Sequence, residues 1–259
     1  MQGRLRGYEM TYDELLKKSE EINKSIHKHT NNSNVNNFSL EPQNIDNYKI
    51  DDLILIFGIN PSSSDIDKGK EKADCFLMYV DSDENIAEEC KKQGWTYPLY
   101  FKNNYELVKP LKYRMFWEIP GFLESKKDIL KENFEVLSSI RKSNDKYVLF
   151  ADLVYYKETK AHKIKDIIEK EDLKEKIFDF FKQQLEYYKP KGVIITNAFA
   201  SKLVYEMNHN DTNYVSDDFV DKIPIIYSSM VSGQRALDNF NYLRLKKDIK
   251  EILNDETNN

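Results

Sequence analysis

The sequence predicts an α/β protein, a three-layer α/β/α sandwich around a central, mainly parallel four-stranded sheet. Two observations predict it. Four short apolar runs, at residues 53–58, 147–152, 192–197 and 223–227, are each bounded by polar or turn residues. Between and after them lie segments whose apolar residues recur at helical intervals, and strands that alternate with helices in this way form a parallel sheet covered on both faces.

Taken in chain order, residues 12–27 set Leu15, Leu16, Ile22 and Ile26 among charges, with Asp13 near the start, which predicts an amphipathic helix. Residues 30–47 are dense in Asn, Ser and Gln. Such a composition buries too little surface to order itself strongly, so a long surface connection is expected there. After the first strand comes an aromatic-rich stretch, 81–120, holding Trp95, Tyr97, Tyr100, Phe101, Tyr105, Tyr113, Phe116 and Trp117, and then a helical pattern at 126–141. Ile167, Ile168, Ile177, Phe180, Phe181 and Leu185 predict helix over 164–188 with a break near Glu171, ended by Lys189-Pro190-Lys191-Gly192. Further helices are predicted at 199–207 and 242–253. The expected organisation is an N-terminal helix and polar linker over 1–50, then one domain over 51–259 with 81–120 as an insert.

Charge and composition narrow the function. The chain carries 39 Lys and Arg against 44 Asp and Glu, a net charge of −5, which excludes a uniformly basic nucleic-acid coat. Its two cysteines, Cys75 and Cys90, cannot build a four-cysteine metal centre or a disulfide framework, so a reducing cytoplasm is the expected compartment. No apolar run approaches the ~18 residues that span a membrane, and a soluble monomer is expected. The histidines at 27, 29, 162 and 209 lack metal-binding spacing, so neither metal nor cofactor is expected.

Ligands of parallel sheets bind where the loops leave the carboxyl ends of the strands. The first exit, Gly58-Ile59-Asn60-Pro61-Ser62-Ser63-Ser64, combines close backbone approach at Gly58, a carboxamide at Asn60 and three hydroxyls. It can hold an anion or a water, or close simply as an Asx-type turn; the absence of GxxxxGK[ST] excludes a P-loop. The second exit begins at Asp152 and the third at Asn197. The fourth, from Ser228 through Ser229, Met230, Val231, Ser232, Gly233 and Gln234 to Arg235, precedes a helix. That helix start is either a phosphate seat beside Arg235 or a capped end whose Arg235 pairs with Asp238. From Ser229 to Lys250, Arg235, Arg244, Lys246, Lys247 and Lys250 outnumber Asp238 and Asp248, which makes either a basic DNA-facing surface or a solvated helix face.

Several ordered motifs resemble the uracil-DNA glycosylase superfamily, over about residues 51–253. Gly58-Ile59-Asn60-Pro61 looks like the first motif of its mismatch-specific and single-strand-selective branches, whose Asn positions the attacking water. Asp74-Cys75-Phe76-Leu77-Met78 is similar to the segment in which a Phe stacks on the extruded base. Val148-Leu149-Phe150-Ala151-Asp152 resembles the strand that often ends in an Asn reading the base edge; Asp152 stands there instead. Ser232-Gly233 matches the end of the second motif, a loop that grips the DNA strand, but Met230-Val231 replaces its His or Asn and the Pro-Ser that follows.

The resemblance implies a DNA glycosylase that flips a uracil or other deaminated or mismatched base from single- or double-stranded DNA and cleaves its N-glycosidic bond. Asn60 and Asp152 would be catalytic. Gly58, Ile59, Phe76 and Asn197 would bind the base, although core support suits Asn197 better, and Ser62, Ser229, Met230, Ser232, Gly233, Gln234 and Arg235 would contact DNA. An ionised Asp152 accepts from the cytosine amino group, whereas a protonated one donates to uracil O4, so base preference stays open. Methionine donates no hydrogen bond to a departing base, which favours an alternative: an inactive nucleobase- or DNA-binding protein of the same fold. A small-nucleotide hydrolase using the serine-rich first exit is a third reading.

Overall fold

The structure, a computed structural model, describes residues 9–30, 35, 39, 41–46, 50, 52–60, 75–80, 107, 114–120, 146–158, 160–209, 217–231 and 237–253, with 75–80 and 114–120 described as backbone. Helix α1 (Tyr12–His27) begins at Thr11, whose hydroxyl accepts from the Glu14 N–H while the Glu14 carboxylate accepts from the Thr11 N–H. This reciprocal capping box satisfies two amide donors at the helix start.

Among the described residues seven strands follow: β1 (Asp52–Gly58), β2 (Cys75–Val80), β3 (Arg114–Pro120), β4 (Lys146–Asp152), β5 (Gly192–Thr196), β6 (Asp217–Val220) and β7 (Ile223–Ser228). They form one mixed sheet in the order β2-β3-β4-β1-β5-β7-β6. The inner pairings β3–β4, β4–β1, β1–β5 and β5–β7 are parallel, and β2 and β6 add antiparallel edges. The expectation of four strands is therefore corrected. The predicted four are β1, β4, β5 and β7, which with β6 make the five-strand portion whose side chains are largely described; β2 and β3 extend it. Part of the presumed insert, 114–120, is a strand of the sheet itself.

Four more described helices are α2 (Ala161–Lys170), α3 (Lys174–Tyr188), α4 (Ala198–His209) and α5 (Asn239–Leu253). The break expected near Glu171 separates α2 from α3, with Asp172 in the left-handed region at φ 52°. Lys189, at φ 48°, ends α3 by donating its N–H to Leu185 O at 2.9 Å. The helical pattern at 126–141 lies outside the described residues.

Strand alternation assigns the core to two faces of the sheet. Leu53, Leu55 and Phe57 of β1 and Val193 and Ile195 of β5 share a buried cluster with Leu15, Ile22 and Ile26 of α1, Ile164 and Ile168 of α2, Ile177, Phe180 and Phe181 of α3, and Leu203 of α4. Ile54, Ile56 and Ile194, on the other face, are equally inaccessible. Gly192 shares that second face, and a Cβ there would lie 2.3 Å from Leu253 Cδ2. Helix α5 therefore packs on the second face, where Leu245, Ile249 and Leu253 are buried.

Tyrosine hydroxyls fasten the connection between α1 and β1. Tyr12 Oη donates to Pro42 O at 3.0 Å, Tyr188 Oη donates to Gln43 O at 3.0 Å, and Tyr187 Oη accepts from the Ile45 N–H while donating to Asp46 Oδ1, both at 2.9 Å. Residues 41–46 of the expected surface connection are thus hydrogen-bonded to α1 and α3, and Ile45 packs against the core cluster.

Candidate functional site

Strand register gathers the sequence-predicted exits along one edge of the sheet. Gly58 is level with Asp152, Phe57 pairs with Ile195, and Thr196 pairs with Ser228. Gly58, Asp152, Thr196 and Ser228 therefore lie in one row at the carboxyl ends of the parallel strands. The β3–β4 pairing ends at Phe116–Leu149, and Phe76 pairs with Ile119, three residues further along β3, so the backbone of Phe76 lies two strands from β4, beyond the end of that pairing.

Asp152 and Gly58 are in intimate contact. A Cβ on Gly58 would lie 2.5 Å from Asp152 Oδ1, so only a residue without a side chain lets the carboxylate settle over the first exit. The ladder continues past the strands: Leu153 N donates to Gly58 O at 3.2 Å and Val154 N to Ile59 O at 3.0 Å. Ile59 is buried and Gly58 half-buried.

Asn60, half-buried at the end of this turn, donates its amide to Tyr156 O at 3.2 Å and Glu158 O at 2.8 Å. Both partners are carbonyls, so Nδ2 must face them, and the buried Oδ1 is turned the other way. The two bonds straddle Lys157, itself only 4% exposed. The segment 152–158 is also gripped from behind: Gln184 of α3 donates to Asp152 O and accepts from Tyr155 Oη, both at 3.1 Å, and Asn23 of α1 donates to Tyr155 O at 3.0 Å.

The other half of the row is occupied by structural bonds. Asn197 Oδ1 accepts from the N–H groups of Phe199 and Ala200, each at 3.0 Å, and so caps α4. Ser201 Oγ donates to Ser228 O at 2.7 Å and accepts from Ser228 N at 3.2 Å, tying the third exit to the fourth. Ser229 is half-buried and Met230 is 36% exposed. Leu237 N donates to Met230 O at 2.8 Å, which closes the last loop onto the start of α5. There Asp238 accepts from the Asn241 N–H at 2.9 Å and from its side-chain amide at 2.6 Å, which hold the Asp238 carboxyl below its ordinary range. A carboxylate therefore fills the helix start that the sequence offered as a phosphate seat. Ser62, Ser232, Gly233, Gln234 and Arg235 lie outside the described residues, as does the side chain of Phe76.

Gln184, Asn23 and Lys157 escaped the sequence reading. For the first two a signal existed: each is a polar residue set in the buried stripe of its helix, Gln184 next to Leu185 and Asn23 between Ile22 and Ile26. Lys157 carried none. Among the described residues, no group of three or more His, Cys, Asp or Glu side chains is placed to hold a metal ion, and no helix is long and apolar enough to cross a membrane.

Comparison with protein-family models, curated proteins and solved structures finds no match. The site has to be read from its own chemistry: a carboxylate and a carboxamide on adjacent strand ends, over a glycine, with a buried lysine in the segment they share.

Proposed function

We propose that this protein is a DNA glycosylase-like hydrolase of the uracil-DNA glycosylase type, built as a three-layer α/β/α sandwich with α1 to α4 on one face of the sheet and α5 on the other. The observation that carries the reading is the junction of β1 and β4, where Asp152 rests on Gly58 and the Asn60 amide is held in a single orientation. Breaking an N-glycosidic bond expels the base as an anion and leaves a cationic sugar, so the groups that matter are fixed dipoles and charges aimed at those developing charges.

In this reading the flipped base enters the row of strand ends, costing a few kcal/mol of unstacking. Phe76 supplies a stacking face and Asp152 reads the base edge. Asn60 does not titrate, so its part is to orient water. The Asp152 carboxylate opposes the positive charge that develops on the sugar. A cytoplasmic, monomeric enzyme without a cofactor completes the proposal.

Met230 supports a second reading, an inactive reader of nucleobases or DNA. It is exposed at the fourth exit and offers no hydrogen to a leaving base; losing one such donor costs about 2.7 to 4 kcal/mol in comparable anion-stabilising sites. One experiment separates the two. Labelled oligonucleotides carrying a single uracil, hypoxanthine, xanthine or mismatched pyrimidine are incubated with the protein and treated with hot alkali. Strand scission that disappears in Asn60→Ala and in Asp152→Asn is expected; binding without scission across the panel replaces the enzyme with the reader.

A further inference from the structure

Helix α5 meets its packing requirement on one side only. Leu245, Ile249 and Leu253 face the sheet and are buried, yet Phe240 is 76% and Leu243 56% exposed. Both occur in the first turns of the helix, whose approach is tied to exposed Met230 by the Leu237 N–H bond to Met230 O. Residues 240, 243, 244 and 247 follow the i, i+3, i+4, i+7 spacing of a single helix face, so Phe240 and Leu243 share that face with Arg244 and Lys247. Arg244 is exposed, and Lys247 is 71% exposed in a surface pair with Glu251 at 3.5 Å, an arrangement solvent screens strongly. In a chain of net charge −5, this helix is locally basic: Arg244, Lys246, Lys247 and Lys250 stand against Asp248 and Glu251.

We infer that this face of α5 docks single-stranded nucleic acid, with Phe240 as a stacking platform for a base, Leu243 beside it, and Arg244 and Lys247 on the phosphates. An aromatic ring flanked by cations along one line matches a polymer that alternates flat apolar bases with anionic phosphodiesters. A lipid surface would be met by a long apolar stripe, whereas Leu245, Ile249 and Leu253 of α5 are buried and only Phe240 and Leu243 are exposed apolar residues. The inference rests on the nucleic-acid reading of the neighbouring strand ends and adds a contact surface outside them.

The test is fluorescence anisotropy of a labelled oligothymidylate containing no altered base, titrated with the full chain. Phe240→Ala is expected to weaken binding about tenfold, as removal of a stacking platform does. Arg244→Ala with Lys247→Ala is expected to flatten the dependence of log affinity on log salt by about 1.4, two single-strand phosphate contacts at ~0.7 each. Because these side chains are exposed, unchanged thermal unfolding is expected in every variant. Affinity and salt slope that ignore all three substitutions overturn the inference, as does absence of binding by the parent chain. So does Phe240-dependent sedimentation with phosphatidylglycerol vesicles in place of oligonucleotide binding. Scission of uracil-containing DNA with Phe240-independent binding removes this face and leaves the site reading standing; Phe240-dependent binding by a parent chain that never cleaves does the reverse.

Discussion

Gly58 is the residue on which the candidate site turns. Its value is steric: no left-handed backbone is involved, but any Cβ meets the Asp152 carboxylate at 2.5 Å. Gly58→Ala is therefore expected to displace the Asp152 carboxylate and to cost about 1 kcal/mol, the low end of overpacking, because what has to move is the end of a side chain. Urea unfolding of Gly58→Ala, Asp152→Ala and the double variant should be non-additive, with the double variant close to Asp152→Ala alone; full additivity would show that the two groups do not touch. Asn60 differs from a residue that only orients water, because its amide also anchors the carbonyls of Tyr156 and Glu158. Asn60→Ala should accordingly lower stability by about 1 to 3 kcal/mol besides removing any turnover, since two part-buried acceptors lose their donor.

At the scale of elements, β6 shows what a very short strand needs. Its turn, Asp221-Lys222, has both residues left-handed at φ 49° and 70°, the backbone of a tight hairpin that matches strand twist. A side-chain clasp holds the strand to α4: Asp218 accepts from His209 Nε2, from Asn208 Nδ2 at 2.9 Å and from the Phe219 N–H. Burial raises the Asp218 pKa, but these bonds together outweigh it and leave it below the ordinary carboxylate value. A depressed folded-state pKa contributes stability above the unfolded carboxylate range, about pH 4, and that contribution is lost as pH falls through the folded value. Asp218→Asn should be less stable than the parent chain at neutral pH, and the difference should shrink below about pH 4 in acid titrations followed by circular dichroism. A difference that persists at low pH would place the stabilisation elsewhere.

Considered as a whole molecule, the chain does not treat α1 as an appendage. Leu15, Ile22 and Ile26 sit in the same buried cluster as the sheet and α3, and Asn23 and Gln184 hold the segment that carries Asp152 from behind. Each buried Leu or Ile contributes some 2 to 5 kcal/mol against truncation to Ala, comparable with a domain's net stability of about 5 to 15 kcal/mol. A chain lacking residues 1–30 should therefore show no cooperative urea transition, whereas a sharp one would mean that the rest of the molecule folds without α1.

Four of the five parallel strands, the bounds of α1, the break between α2 and α3 and the strand exits at Gly58, Asp152, Asn197 and Ser228 were all legible in the sequence. Buried parallel strands write themselves as unbroken apolar runs, and amphipathic helices as a period near four residues. Strands β2, β3 and β6 were not legible in this way. They belong to the edges, or to an aromatic-rich segment, where a strand is defined by the neighbour it pairs with and not by its own pattern. The same reason governs the site. That Asn60 and Asp152 bear chemistry-capable groups follows from the residues alone. That Asp152 lies on Gly58, that Asn60 spends its amide on the next loop, and that Asn197 caps a helix were decided by register and packing, because they depend on groups distant in sequence that meet only once the sheet has formed.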